Sequence, residues 1–87
     1  EAMIAAGEAL GLSTAEATQL TIATAVGAAE LAQASEQPVA ELRRQVTSPG
    51  GTTAAALEVL EVGQIDDLFQ RALTAAAQRA VELADEA

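Results

Sequence analysis

No cysteine, histidine, lysine, tyrosine or tryptophan occurs among the 87 residues of this chain, and Phe69 is its one aromatic side chain. Each absence closes a class of chemistry. Without cysteine there is neither a disulfide framework nor a thiolate nucleophile, a composition that suits the cytoplasm. Without histidine or lysine the chain can build no serine–histidine triad, no Cys/His zinc site and no Schiff base. Hydroxyls, carboxylates, four arginines and backbone amides are the groups left.

Positive charge is scarce as well: four arginines stand against thirteen carboxylates, for a net charge of −9. Nucleic-acid binding draws most of its affinity from neutralised phosphates, so this balance argues against a nucleic-acid partner and against docking on anionic lipid. Long apolar runs are missing too. Uncharged stretches such as 17–29 are too short and too rich in threonine to cross a bilayer, so no membrane partner is expected. No export signal is visible, and the expected location is cytoplasmic. The chain opens on Glu1 instead of methionine, which points to upstream sequence that it does not include.

What the chain does have is alanine, at 23 positions. Helices built this way approach closely, yet each buried side chain contributes little transfer free energy. A domain this small also buries a smaller share of its surface than a large one. Roughly 1.5 to 3 kcal/mol per buried Leu, Ile or Val must offset roughly 1 to 2 kcal/mol of backbone entropy per ordered residue. Extra burial against a second copy is the expected remedy.

Apolar residues return at intervals of three and four, which predicts an all-α fold of about five helices with no strand, forming one domain over residues 1–87. A first helix from Glu1 to about Leu10 ends at Gly11. The run STAE, Ser13 to Glu16, is a capping-box signature that opens a second helix to about Ser35. On it Leu20, Ala23, Gly27 and Leu31 form one stripe and Ile22, Val26 and Ala29 another. A helix apolar nearly all round is a buried helix, and a domain of this size buries both sides only with a second molecule, so a dimer is expected. Pro38 fits the first turn of a short helix with Val39, Leu42 and Val46 on its inner face and Arg43 and Arg44 toward water. A fourth helix, about Thr52 to Val62, sets Leu57 and Leu60 inward and Glu58 and Glu61 outward, with Gly63 as its stop. The last, about Asp66 to Ala84, opens on acidic residues, as the helix dipole favours, and carries Phe69, Leu73, Ala76, Ala80 and Leu83 as one stripe.

Between the third and fourth helices, QVTSPGGTTAAALEVL places Ser48, Pro49, Gly50, Gly51, Thr52 and Thr53 side by side. The first amides of a helix lack intrahelical acceptors, and their partial positive charge makes that end a receptor for an anion. Glycine permits positive φ and close backbone approach, Pro49 limits the turn's freedom, and the hydroxyls can donate to a carboxylate. Two readings stand here: an anion cradle that needs no cationic side chain, and a capped turn with no ligand, since these residues are ordinary turn formers. The acidic pairs Asp66–Asp67, Glu58–Glu61 and Asp85–Glu86 lack the loop geometry of a calcium site and read as solvated helix ends and faces, so no metal is expected. Arg71 and Arg79 read as surface charge balance. Glu36, ahead of Pro38, is a carboxylate that could project into a pocket.

The segment VTSPGGTTAAALEVLEVG, Val46 to Gly63, resembles the signature segment of pyrroline-5-carboxylate reductase, combining S-P-G-G-x-T with a following A-L-x-V-L-E. Thr21 to Val46 and Ile65 to Leu83 are similar to the flanking helices, so the resemblance covers essentially the whole chain. It reaches only the carboxyl-terminal domain of that family; the amino-terminal nucleotide-binding domain is absent. Two departures are Gln64, where many relatives carry a second glycine, and Arg44–Gln45, where an acidic or mixed pair is common.

The resemblance implies a helical domain of the 6-phosphogluconate dehydrogenase C-terminal-like kind, forming an interlocked homodimer or a larger assembly. It implies an enzyme of proline biosynthesis that reduces 1-pyrroline-5-carboxylate to L-proline with NADPH or NADH. The cofactor belongs mainly to the absent domain and none is expected on this chain, which has no G-x-G-x-x-G and is expected to be inactive alone. The resemblance further implies that the substrate carboxylate lies on the amides and hydroxyls of Ser48, Pro49, Gly50, Gly51, Thr52 and Thr53, and that Glu36 faces the ring nitrogen. There Glu36 would favour the protonated imine, and Thr53 would orient the ring and relay a proton. A non-catalytic helical interaction module and the helical domain of another hydroxyacid-type dehydrogenase are the alternatives.

Overall fold

The computed structural model describes residues 1–86, which divide into two compact units, Glu1–Arg43 and a second from Arg44 onward. Five helices follow in chain order: α1 (Ala2–Ala9), α2 (Thr14–Ala34), α3 (Val39–Gln45), α4 (Thr52–Val62) and α5 (Ile65–Glu86). No strand occurs among the described residues. The expected all-α fold is present, with helix ends within about two residues of those predicted.

In the first unit, α1 closes on a Schellman motif. The Leu12 amide donates to the Gly7 carbonyl (3.1 Å) and the Gly11 amide to that of Glu8 (3.0 Å), while Gly11 holds φ at 103°. That conformation carries a steric penalty for residues with a Cβ and little for glycine. The capping box is formed in full: the Glu16 amide donates to Ser13 Oγ (3.1 Å) and the Ser13 amide to Glu16 Oε1 (3.0 Å). The Ser13 amide, and then its hydroxyl, hold the Glu16 carboxyl below its ordinary value. Thr14 Oγ1 donates to Glu8 Oε2 at 3.2 Å and ties the two helices across their corner.

The α1–α2 pair buries Ala17, the one buried hydrophobic residue described, while Leu20, Ile22, Val26 and Leu31 of α2 remain exposed. The nearly all-round apolar helix is thus covered on one side only within its unit. Its end is set by Ser35, which is extended and accepts the Gln37 amide on Oγ (3.0 Å). Pro38 lies just outside α3 and not in its first turn, because its carbonyl receives the amides of Glu41 (2.9 Å) and Leu42 (3.2 Å). The predicted inner face of α3 is only partly realised: Leu42 is half-buried but Val39 and Val46 are exposed.

In the second unit Gly63 and Gln64 join α4 to α5. Leu57 is half-buried, as expected of an inward residue, but Leu60 is exposed. Gly63 ends α4 in the ordinary right-handed region, and the left-handed residue is Gln64, with φ at 59°. The glycine serves close approach here instead of handedness, since a Cβ on Gly63 would lie 3.2 Å from the Val59 carbonyl oxygen. The α5 stripe is present as read and is exposed throughout, Phe69 at 62% and Leu73 at 68%. Its polar side carries ion pairs of Arg71 with Asp67 (2.9 Å) and of Arg79 with Glu82 (3.1 Å).

Candidate functional site

The turn ahead of α4 is built from its own sequence. The Ser48 carbonyl accepts the Gly51 amide at 2.9 Å, with Pro49 and Gly50 between them and Gly50 at φ 73°. Proline second and a positive-φ glycine third are the requirements of a type II turn. Gly51 is then the N-cap of α4, extended at φ −84° and ψ 179°, its carbonyl accepting the Ala55 amide at 3.1 Å. A Cβ at Gly51 would stand 3.1 Å from the Ser48 carbonyl oxygen. The second glycine therefore lets the turn fold onto itself.

The consequence is a set of open donors. Gly51 uses its amide inside the turn, but the amides of Thr52, Thr53 and Ala54 have no protein acceptor among the described residues, and no side chain caps the helix. The hydroxyls of Ser48, Thr52 and Thr53 likewise make no hydrogen bond there. Ser48, Pro49, Gly50 and Thr52 are exposed, while Gly51 and Thr53 are half-buried. Such an end offers an anion several neutral donors and the positive pole of the helix. Ala54, whose amide is the third open donor, was not singled out from the sequence. Counting three positions past the N-cap would have found it.

Glu36 lies in the first unit, at the bend between Ser35 and Pro38, exposed and without a hydrogen bond or ion pair among the described residues. A shallow groove of about 450 Å³ runs along α5 between Asp67, Gln70, Arg71, Thr74, Ala75 and Gln78. One helix supplies every wall, Arg71 is already paired with Asp67, and none of the turn residues reaches it, so the turn is the stronger candidate. Among the described residues no group of three or more carboxylates could hold a metal ion. No helix there is long and apolar enough to cross a membrane.

The family model for pyrroline-5-carboxylate reductase dimerisation matches residues 1–83. The chain belongs to that family. It is 51% identical over 86 residues to pyrroline-5-carboxylate reductase of Pseudomonas aeruginosa, covering 99% of this chain and 32% of that protein. To the enzyme of Corynebacterium melassecola it is 45% identical over 83 residues, 95% of this chain and 31% of the relative. Among solved structures, a pyrroline-5-carboxylate reductase from Coxiella burnetii superposes with a TM-score of 0.89 at 52% identity, over 94% of this chain and 30% of that one. The Plasmodium falciparum pyrroline carboxylate reductase, solved with NADP bound, gives 0.86 at 35% identity, over 90% and 32%. The chain thus spans about a third of the length of the relatives it matches. These likenesses support its five helices as the dimerisation fold of the reductase family.

Proposed function

We propose that this chain is the substrate-binding and dimerisation part of an NAD(P)H-dependent pyrroline-5-carboxylate reductase, acting in proline biosynthesis in the cytoplasm. The observation that carries the reading is the row of open amides at Thr52, Thr53 and Ala54 behind the Ser48–Gly51 turn. A cyclic imino acid has one carboxylate to be held and one C=N bond to be reduced. The turn takes the carboxylate through main-chain amides and the hydroxyls of Ser48, Thr52 and Thr53, with no cationic side chain needed. Pro49, Gly50 and Gly51 hold the turn in shape. In this reading Glu36 is the carboxylate that faces the ring nitrogen of a bound substrate, favouring the protonated imine by charge attraction and so making the neighbouring carbon a better hydride acceptor. Thr53 orients the ring and relays the proton.

The described residues lack the strand and the G-x-G-x-x-G loop that hold a nicotinamide dinucleotide in a doubly wound domain. The steps proposed for this chain therefore end with the substrate held and its imine polarised. The exposed faces of α2 and α5 support a homodimer as the form in which it works.

Titration calorimetry with L-proline tests the reading. Saturable heat that Thr53→Ala weakens is expected, as is recovery of imine reduction when the chain is joined to a nucleotide-binding domain of a relative. A flat titration would favour a helical interaction module, and preference for an open-chain hydroxyacid would favour a different dehydrogenase.

A further inference from the structure

We propose that Gly27, in the middle of α2, is the point at which a helix of a second copy of this chain crosses α2 in close backbone contact. The proposal rests on the homodimer reading, which the match of residues 1–83 to the reductase dimerisation family supports. A glycine inside a helix needs a reason, because it lowers the folding equilibrium about fivefold against alanine. Two ordinary reasons are missing here. The glycines described with a positive φ are Gly11 and Gly50, so the backbone of Gly27 makes no demand that alanine could not meet. A Cβ built on Gly27 would also meet nothing within 4 Å, so packing inside the chain makes none either. Gly7 of α1 is the contrast, since its Cβ would stand 3.0 Å from that of Ala17 and the α1–α2 contact accounts for it.

The surroundings of Gly27 supply the missing reason. Along α2 the residues covered at least in part within the chain are Ala17, Thr18, Thr21 and Ala32. Gly27 lies roughly a third of a turn round the helix from the centre of that face. There it shares an exposed stripe with Leu20, Ala23, Leu31 and Ala34. Ala23 and Gly27, one turn apart, leave a notch in the stripe, and Leu20 and Leu31 stand on either side of it as apolar walls. The distance between two packed helix axes follows the side chains at their contact, so a glycine there permits the closest approach. A solvated face would gain nothing from that permission. A second copy uses it, because its own helices are rich in alanine, at 23 positions of the chain, and can lay a small-residue face into the notch. Twofold pairing repeats the contact, so each dimer contains it twice.

In a dimer assembled from one isotopically labelled and one unlabelled copy, isotope-filtered NOE spectroscopy should show contacts from the Gly27 Hα protons to the other copy. In sedimentation at decreasing concentration, Gly27→Ala should raise the dimer dissociation constant about tenfold and Gly27→Leu should raise it further, because the added carbons overpack both contacts. Alanine and leucine both favour a helix more than glycine does. A glycine with no partner therefore predicts the opposite sign, a higher thermal midpoint with association unchanged. If Gly27→Leu fails to fold, the alanine variant and the NOE contacts of the unmodified dimer still decide. A dimer with no contact between copies at Gly27 overturns the proposal, and so do variants that associate as tightly as the unmodified chain. An unmodified chain that sediments as a monomer is a separate failure, which overturns the homodimer reading and this crossing with it.

Discussion

Gly7 of α1 and Ala17 of α2 meet with no room to spare: a Cβ added to Gly7 would lie 3.0 Å from the Cβ of Ala17. The methyl of alanine cannot swing aside, so Gly7→Ala must push the helices apart. Overpacking costs about 1 to 3 kcal/mol, against a gain of about 1 kcal/mol in helix propensity. A net loss of about 1 kcal/mol is expected in urea denaturation at fixed protein concentration. Exchanging the pair, Gly7→Ala with Ala17→Gly, should give a coupling in the double-mutant cycle that returns part of that loss.

The turn ahead of α4 makes a second demand on backbone shape. Gly50 stands at φ 73° with nothing within 4 Å of where a Cβ would lie, so space is not the obstacle and dihedral angle is. Left-handed backbone costs an ordinary residue about 1 to 2 kcal/mol, partly offset by the stiffer unfolded chain. Gly50→Ala should therefore destabilise by about 1 kcal/mol, and Gly50→Asn by less, since asparagine enters this region more readily. Equal losses for the two would mean that φ is not what selects glycine here.

The Ser13–Glu16 capping box gives the first unit a pH dependence whose sign is fixed. The folded Glu16 carboxyl lies below its ordinary value of 4.5 because the Ser13 amide and hydroxyl stabilise the charged form. Its contribution is present above the unfolded value and disappears as pH falls through the lower folded one. Between neutral pH and about pH 3, Glu16→Gln should lose less stability than the unmodified chain, because the amide oxygen still accepts from Ser13 and does not titrate. Parallel pH profiles for the two proteins would remove the capping box as the source.

Helix content and order were legible because three- and four-residue spacing, STAE and Gly11 are local signals, and local hydrogen bonds satisfy them. The N-terminal position of Thr52 and Thr53 on α4 was legible for the same reason. Handedness at the α4–α5 junction was not. Gly63 offers the usual left-handed stop, yet close approach to the Val59 carbonyl claims that glycine and leaves the positive φ to Gln64. The facing of Val39, Val46 and Leu60 was also misread as inward. Periodicity says which residues share a face, but the neighbour that covers the face is a tertiary fact, and within their units these three stay exposed.

The same distinction yields the sharpest expectation about assembly. Phe69 and Leu73 share a stripe on α5 that is exposed along its length, and α2 adds Leu20, Ile22, Val26 and Leu31. Burying each such side chain against a second copy contributes about 1.5 to 3 kcal/mol. Sedimentation should show a dimer at micromolar concentration whose thermal midpoint rises with protein concentration, as mass action requires when folding and association are linked. Leu73→Glu places a charge in that contact and should give a monomer or an unfolded chain. Thr74→Glu, on the polar side beside Asp67 and Gln78, should leave the dimer intact. An unmodified chain that sediments as a stable monomer would refute this use of the stripe, because those apolar side chains would then be folded and wet with no partner to cover them.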